Sequence, residues 1–270
     1  MYFDLKNYKK DLVSMRIFIA VFQIFNRLIK HVWISVLLLL NQSVSFAFPN
    51  TDSLVNELRQ AIQDVHIYDG IKLKNIAKLK GQLLQSPAGN AGQDYKLYLQ
   101  IYAEYQYYNY DSALFYTNRL QELAHNKNEL SLLMDSKLKA VFVMLTGGMF
   151  KETFDSLNVL SVRNAADSIK AEYYTLTGLA YYNLADFNGD SYSTSFYNNK
   201  ANLYLDSALA FYAPASFEHL YYSALKFFKK GKPDSALFNL NQLIKDDNLT
   251  QHEIALTTST FGGILISQGK

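Results

Sequence analysis

Cysteine is absent from this chain of 270 residues. That excludes disulfides, thiolate metal sites and thiol nucleophiles together. It also excludes a lipid-anchored mature N-terminus, which requires a cysteine. Proline is scarce, with 4 residues, so long ordered elements can run without interruption. Excess charge is missing too. A formal net charge of +2 provides no concentrated basic face for nucleic acid. Tryptophan occurs once, against 21 tyrosines and 18 phenylalanines. What is present is globular in character, with 49% hydrophobic and 19% charged residues.

A hydrophobic run lies in the N-terminal segment "RLIKHVWISVLLLLNQSVSFAFPN", residues 27–50. Arg27 and Lys30 form a basic start, Val32 to Leu40 an apolar run of signal-peptide length, and Ser45-Phe46-Ala47 a small-x-small cleavage site. A spanning helix needs about 20 apolar residues, and Asn41-Gln42-Ser43 interrupts this run first. A second apolar stretch, "MRIFIAVFQIF" at 15–25, leaves two readings open: a start at Met15 or later, or an uncleaved anchor. Residues 1–47 are therefore expected to be a signal peptide or an N-terminal membrane anchor. Either puts the remainder outside the cytoplasm, in the periplasm or cell envelope.

From Asp52 onward the apolar spacing is helical, and no alternating run argues for a strand. Leu54, Leu58, Ala61, Ile62 and Val65 share a face, and the pattern resumes after Gly70. Pro87, Gly89 and Gly92 mark a loop. The pattern then predicts helices over 94–108, 110–125, 129–146, 149–162, 166–186, 193–212, 216–230, 233–245 and 250–267. Short connections between them make antiparallel neighbours.

One local code recurs. In "FFKKGKPDSALFNLNQLI", Gly231 suits a left-handed helix end. Pro233 suits a first helical position, and Ala236 is small enough for close helix approach. "TGGMFKETFDSLNVL" repeats it with Gly148 and Thr153, and "YYNYDSALFYTNRL" with Tyr108 and Ala113. The small positions 113 and 153 are about 40 residues apart, a period at which helix pairs stack into solenoids. The tetrapeptide Asp-Ser-Ala-Leu itself occurs at 111–114, 206–209 and 234–237.

These residues resemble the tetratricopeptide family, whose pattern Gly-x-x-x-x-Ala-x-x-x-aromatic or aliphatic is met by Gly231 to Leu240. The expected fold is all-α: antiparallel helix pairs stacked as a TPR-like right-handed solenoid over 51–270. One pair, about 166–212, departs from the consensus. "YDGIKLKNIAKLKGQL", "YLQIYAEYQYYNYDSALFYTNRLQELA", "GMFKETFDSL", "EYYTLTGLAYYNLADF" and "LTQHEIALTTST" together resemble a bacterial TPR-containing envelope family of unknown function. Its members continue into a transmembrane helix and a cytoplasmic regulator region. The resemblance spans about 50–270 and implies the extracytoplasmic, sensory half of a membrane-linked regulator. The unpaired final helix adds the expectation that the repeat domain is truncated at its C-terminal end.

Chemistry is sparse. His31, His66, His125, His219 and His252 have no ligand-like spacing, and "QHEIA" at 251–255 lacks the second histidine of a zinc helix. Asp186, Asn188 and Asp190 alternate as in a calcium loop, but Tyr197 stands where the bidentate glutamate belongs. No metal, cofactor or enzymatic activity is expected. Tyr98, Tyr102, Tyr105, Tyr173, Tyr181 and Tyr221 fall on first-of-pair helices, which line the concave side of a solenoid. Exposed there, they would stack on a sugar or grip a peptide. Covered, they would be packing residues with satisfied hydroxyls, the commoner role for a stripe at helical spacing. The expected function is an interaction or sensor module for a peptide, protein or glycan. The alternative is a surface glycan- or nutrient-binding component, to which the absent lipidation cysteine is unfavourable. A hydrolase on a helical scaffold has only scattered carboxylates behind it.

Overall fold

The computed structural model describes Asn56, residues 59–87 and residues 90–269. The chain divides into two compact units, Met1–His66 and Ile67–Lys270. Within the first, Asn56 and residues 59–66 are described and are helical apart from a turn at Asp64. The expected signal peptide or anchor at 1–47 lies outside the described residues. Among the described residues, no helix is long and apolar enough to cross a membrane.

The described residues are all-α. From Val65 the order is α1 (Val65–Leu84), α2 (Ala91–Tyr105), α3 (Tyr110–Asn126), α4 (Leu130–Thr146), α5 (Phe150–Asn158), α6 (Asp167–Asn188), α7 (Ser191–Leu209), α8 (Phe217–Lys229), α9 (Pro233–Ile244) and α10 (Gln251–Ser267). Consecutive helices pack as α2–α3, α4–α5, α6–α7 and α8–α9, with α10 following, and α4 also packs on α6. This is a TPR-like solenoid of stacked helix pairs.

The turns show why this sequence makes pairs. Gly148 (φ +75) and Gly231 (φ +69) are left-handed, as is Asn128 (φ +55) after α3. At each, the next amide reaches back to the helix: Met149 N to Met144 O at 2.9 Å, Lys232 N to Phe227 O at 2.9 Å, Glu129 N to Ala124 O at 3.1 Å. These bonds satisfy carbonyls that the helix end leaves free. A Gly148→Ala variant should lose about 1 kcal/mol, because a Cβ is strained at this φ; urea unfolding measures it. Tyr108, in the equivalent slot before α3, needs no left-handed backbone. There the Tyr105 carbonyl accepts from both Tyr108 N (2.8 Å) and Asn109 N (2.9 Å), and the Asn109 side chain caps α3 at Ser112 N.

The small positions are the points of closest packing. Ala113, Ala208 and Ala236, the alanines of the three Asp-Ser-Ala-Leu segments, are fully buried, as are Leu120, Leu157, Leu205 and Leu240. Thr153 is also fully buried, and its hydroxyl donates to Met149 O at 2.7 Å. Pro233 begins α9. Gly147 has a separate role from Gly148: a Cβ there would lie 2.6 Å from the Tyr110 ring.

Several expected boundaries differ. Helix α2 covers Ala91–Tyr105, three residues earlier at each end than the expected 94–108. Gly70 does not interrupt a helix; α1 runs through it, and a Cβ there would meet nothing. An exposed helical glycine costs only about 1 kcal/mol. α5 stops at Asn158 rather than 162, and Val162 instead turns inward and is buried with Leu157 and Ile169. Both β-branched residues of this stretch, Val159 and Val162, are poor at prolonging a helix. α7 stops at Leu209 rather than 212, which releases Tyr212 to meet α6.

Candidate recognition surface on the inner helix row

The first helices of successive pairs, α2, α4, α6, α8 and finally α10, are joined by side chains about one repeat apart. Tyr95 OH on α2 donates to Leu132 O (3.2 Å) and to Asp135 Oδ2 (3.3 Å) at α4. Lys139 on α4 donates to both oxygens of Glu172 on α6 at 2.8 Å. Thr175 on α6 bonds the hydroxyl of Tyr212, in the α7–α8 connection, at 3.0 Å, Asp186 on α6 pairs with Lys229 on α8, and Tyr221 on α8 bonds Thr260 on α10 at 3.1 Å. The separations in sequence are 40, 33, 37, 43 and 39 residues. Each link repeats because a helix-turn-helix unit brings the same face round once per pair.

At the centre of this row one base serves two acids. Lys139 also contacts Asp135 Oδ1 at 3.2 Å. The three side chains keep 21%, 25% and 29% exposure for Lys139, Asp135 and Glu172, so they are recessed but reachable from solvent. Burial lowers the Lys139 pKa, yet the two carboxylates outweigh it and hold the ammonium above its ordinary value. Burial pushes Glu172 up; Lys139 pulls it back, and Asp135 works against that return. The Lys139 shift follows from a cluster with one surplus negative charge, the Glu172 shift chiefly from burial. Its neighbours register that charge. Tyr102 is pushed up by burial and then by Glu172, and Tyr95 by burial and then by Asp135. Tyr212 is raised by burial against the opposing pull of its Thr175 bond.

The six tyrosines singled out from the sequence do not form one surface. Tyr102, Tyr105 and Tyr221 are buried; Tyr98, Tyr173 and Tyr181 are half-buried. Tyr98 and Tyr105 turn to α3, their rings 5.8 and 5.7 Å from that of Tyr116. Lys80 of α1 donates to Tyr105 OH at 3.1 Å and lies over both the Tyr105 and Tyr116 rings. Tyr181 stacks between Tyr204 and Tyr197 of α7, with Phe154 of α5 beside it. Lys200 lies over the Tyr181 ring. Tyr173 packs in the core shared by α4, α5 and α6. Of the six, Tyr102 and Tyr221 reach along the inner row, the first with its hydroxyl 3.5 Å from Lys139 O.

Sequence reasoning missed Asp135, Lys139, Glu172, Tyr107 and Tyr212. No local pattern connects a lysine and a glutamate 33 residues apart; the repeat period alone could have aligned them. Tyr222 is half-buried but is surrounded closely enough that desolvation raises its pKa, with Tyr212, Tyr221 and Tyr107 adding to the effect. Tyr107, in the α2–α3 turn, lies edge-on to Phe142 of α4 at 5.3 Å and stacks on His252 of α10 at 4.1 Å. Desolvation holds His252 below its ordinary pKa; Glu253 opposes this and Lys72 adds to it.

The calcium-like stretch has other duties. Asp190 caps α7 at Ser193 N, 2.8 Å away, and Asp186 pairs with Lys229 at 2.7 Å. Among the described residues, no group of three or more acids and histidines is placed to hold a metal ion. Among the described residues, four of the surface clefts measure about 240 to 530 Å³. One, between α1 and α2, is lined by Asn75, Gln82, Gln100 and Glu104. None of the four includes the tyrosines discussed above.

Among known proteins, a family model described as the SusR N-terminal TPR domain matches residues 62–270. No curated protein and no solved structure matches the chain.

Proposed function

Because this chain belongs to the SusR N-terminal TPR domain family, a helical-repeat module of the kind that mediates protein interactions, we propose that it is the extracytoplasmic sensor of a membrane-linked regulatory protein. The proposed recognition face is the inner row of α2, α4, α6, α8 and α10. It takes a peptide, protein or glycan there, and occupancy changes the stacking of the helix pairs. The role is binding rather than catalysis, in keeping with the usual use of TPR-type repeats. The basic, apolar and small-x-small segments within residues 27–47 support placement in the periplasm or cell envelope.

One observation carries the reading. The Lys139–Glu172–Asp135 cluster joins two helix pairs while staying open to solvent, and tyrosine hydroxyls surround it. Charged groups recessed among rings with polar tips are what a selective binding face needs. They also sit between repeats, where a ligand changes repeat geometry. A surface glycan- or nutrient-binding component is the second reading, and the same hydroxyl-rich row is what favours it.

Thermal-shift screening of the exported protein against a peptide panel and an oligosaccharide panel tests this. A binder from either panel should raise Tm in the native protein. Its apparent affinity should weaken at least tenfold in Lys139→Met or Tyr212→Phe, about 1.4 kcal/mol. The exposed control Phe238→Ala should bind normally. Binding that survives both inner variants but is lost in Phe238→Ala would rule out the inner row.

A further inference from the structure

The α2–α3 turn and the last helix are far apart in sequence but meet in space. No helix-to-helix packing joins α10 to α2 or α3; α10 packs on α9 and, more lightly, on α8. Contact between the two ends runs through side chains. Tyr107, 57% exposed, places its ring on His252 at 4.1 Å with 26° between planes, while Phe142 meets its edge at 5.3 Å. Burial and then the Tyr221 hydroxyl raise the Tyr107 pKa, and Tyr107 in turn adds to the rise at Tyr102 and Tyr222. A ring that belongs to a surface turn is thus laid across the inner row.

The receiving end is firmly held. His252 stands in the first turn of α10, beside a complete capping box in which Thr250 and Glu253 satisfy each other's backbone amides. The giving end is a turn between two helices, with no left-handed residue to fix it. A solenoid's curvature is set by small rotations between neighbouring repeats, so a contact between distant repeats holds that curvature at one value.

We propose that Tyr107 is a clasp: its contact with His252 and Phe142 ties the first repeat to the last helix and narrows the inner row, which solvent still reaches, against larger partners until it is displaced. The proposal rests on the inner row being the recognition face. A single ring-on-ring contact is weak enough for a partner to replace with its own contacts, and a partner that binds only the open state shifts the population toward it.

The test uses the full chain and needs no ligand. Because the chain has no cysteine, Asp111→Cys and Gln251→Cys provide two unique spin-label sites, both exposed. Distances by electron double resonance should form one narrow population in the parent. They should become longer and broader when Tyr107→Ala is added, and again with His252→Ala in its place. In parallel, acetylation of lysines by an amine-reactive ester is followed by mass spectrometry. Lys139 should react several-fold faster in Tyr107→Ala, while Lys151, 81% exposed, keeps its rate. Unchanged distances, or a Lys139 rate that does not move, would overturn the clasp. Should the clasp open as expected while neither panel yields an inner-row binder, the clasp stands and the recognition reading fails. Should a ligand bind at the inner row while the distances stay unchanged, the recognition reading stands and the clasp fails.

Discussion

Gly178→Val should destabilise the repeat domain by about 2–3 kcal/mol, the scale of overpacking in a closed core. Gly178 is buried at the middle of α6. A Cβ at this position would lie 2.8 Å from Leu205 Cγ and 3.3 Å from the Ala201 carbonyl oxygen. Leu205 and Ala201 are both fully buried, so α7 has nowhere to retreat without opening the pair. Gly178→Ala sets two effects against each other. Alanine gains about 1 kcal/mol of helix propensity over glycine, which offsets much of the clash. Valine brings more volume and a smaller propensity gain, so steric cost dominates. Leu205→Ala in the valine background should return part of the loss. That coupling, read in a urea double-mutant cycle, separates a local clash from general damage. A Gly178→Val protein as stable as its parent would mean that α6 and α7 do not touch there.

Alkaline unfolding is the second large effect. Tyr95, Tyr102 and Tyr182 have 6%, 2% and 3% exposure, and burial is the leading cause that holds each phenol protonated well above its ordinary pKa. Neighbouring carboxylates add to it: Asp135 and Glu129 for Tyr95, Glu172 for Tyr102, Asp206 for Tyr182. The folded pKa therefore lies above the unfolded one. Stability from these groups is fully present below about pH 10, the unfolded tyrosine value. Above it the unfolded chain holds fewer protons than the folded one, and stability falls as pH rises. Three such groups give a slope of about 4 kcal/mol per pH unit, at about 1.4 kcal/mol each. The domain should unfold cooperatively a little above pH 10, with a matching jump in phenolate absorbance near 295 nm. Tyr182→Phe should flatten that slope by about a third. Smooth titration of all tyrosines near pH 10, with native circular dichroism retained, would show that these hydroxyls are open to water.

Helix pairing was readable because its signals are local. A glycine or asparagine ends a helix within a few residues of a proline, aspartate or asparagine that starts the next. An alanine five positions past the glycine fits only where two helices touch. Ala113, Ala208 and Ala236 are identical in context and equally buried, even though Ala208 sits near the end of its helix and the others near the start of theirs. The failure at Gly70 came from overrating the small propensity cost of an exposed glycine, while those at Asn158 and Leu209 were matters of tertiary packing. Val162 gained more by turning inward than by prolonging α5, and Tyr212 gained a partner in Thr175 by leaving α7.

The inner surface was not readable in the same way. A tyrosine at helical spacing can face its own pair or the next pair, and both faces are apolar. Tyr98, Tyr105 and Tyr181 turned toward their pair mates, where Tyr116, Tyr204 and Tyr197 offered rings to stack on. Tyr107 has the local sequence of an ordinary turn residue, yet its ring reaches the far end of the array.

By itself, the sequence determined that this protein is built of antiparallel helix pairs, where they turn, and which small residues let them meet. Those features depend on backbone conformation and volume within a few residues of each other. Tertiary structure alone decided which side chains face inward, that Lys139 serves both Asp135 and Glu172, and that Tyr107 reaches His252. Those contacts depend on rotations between repeats that accumulate along the array, and no short stretch of the chain records their sum.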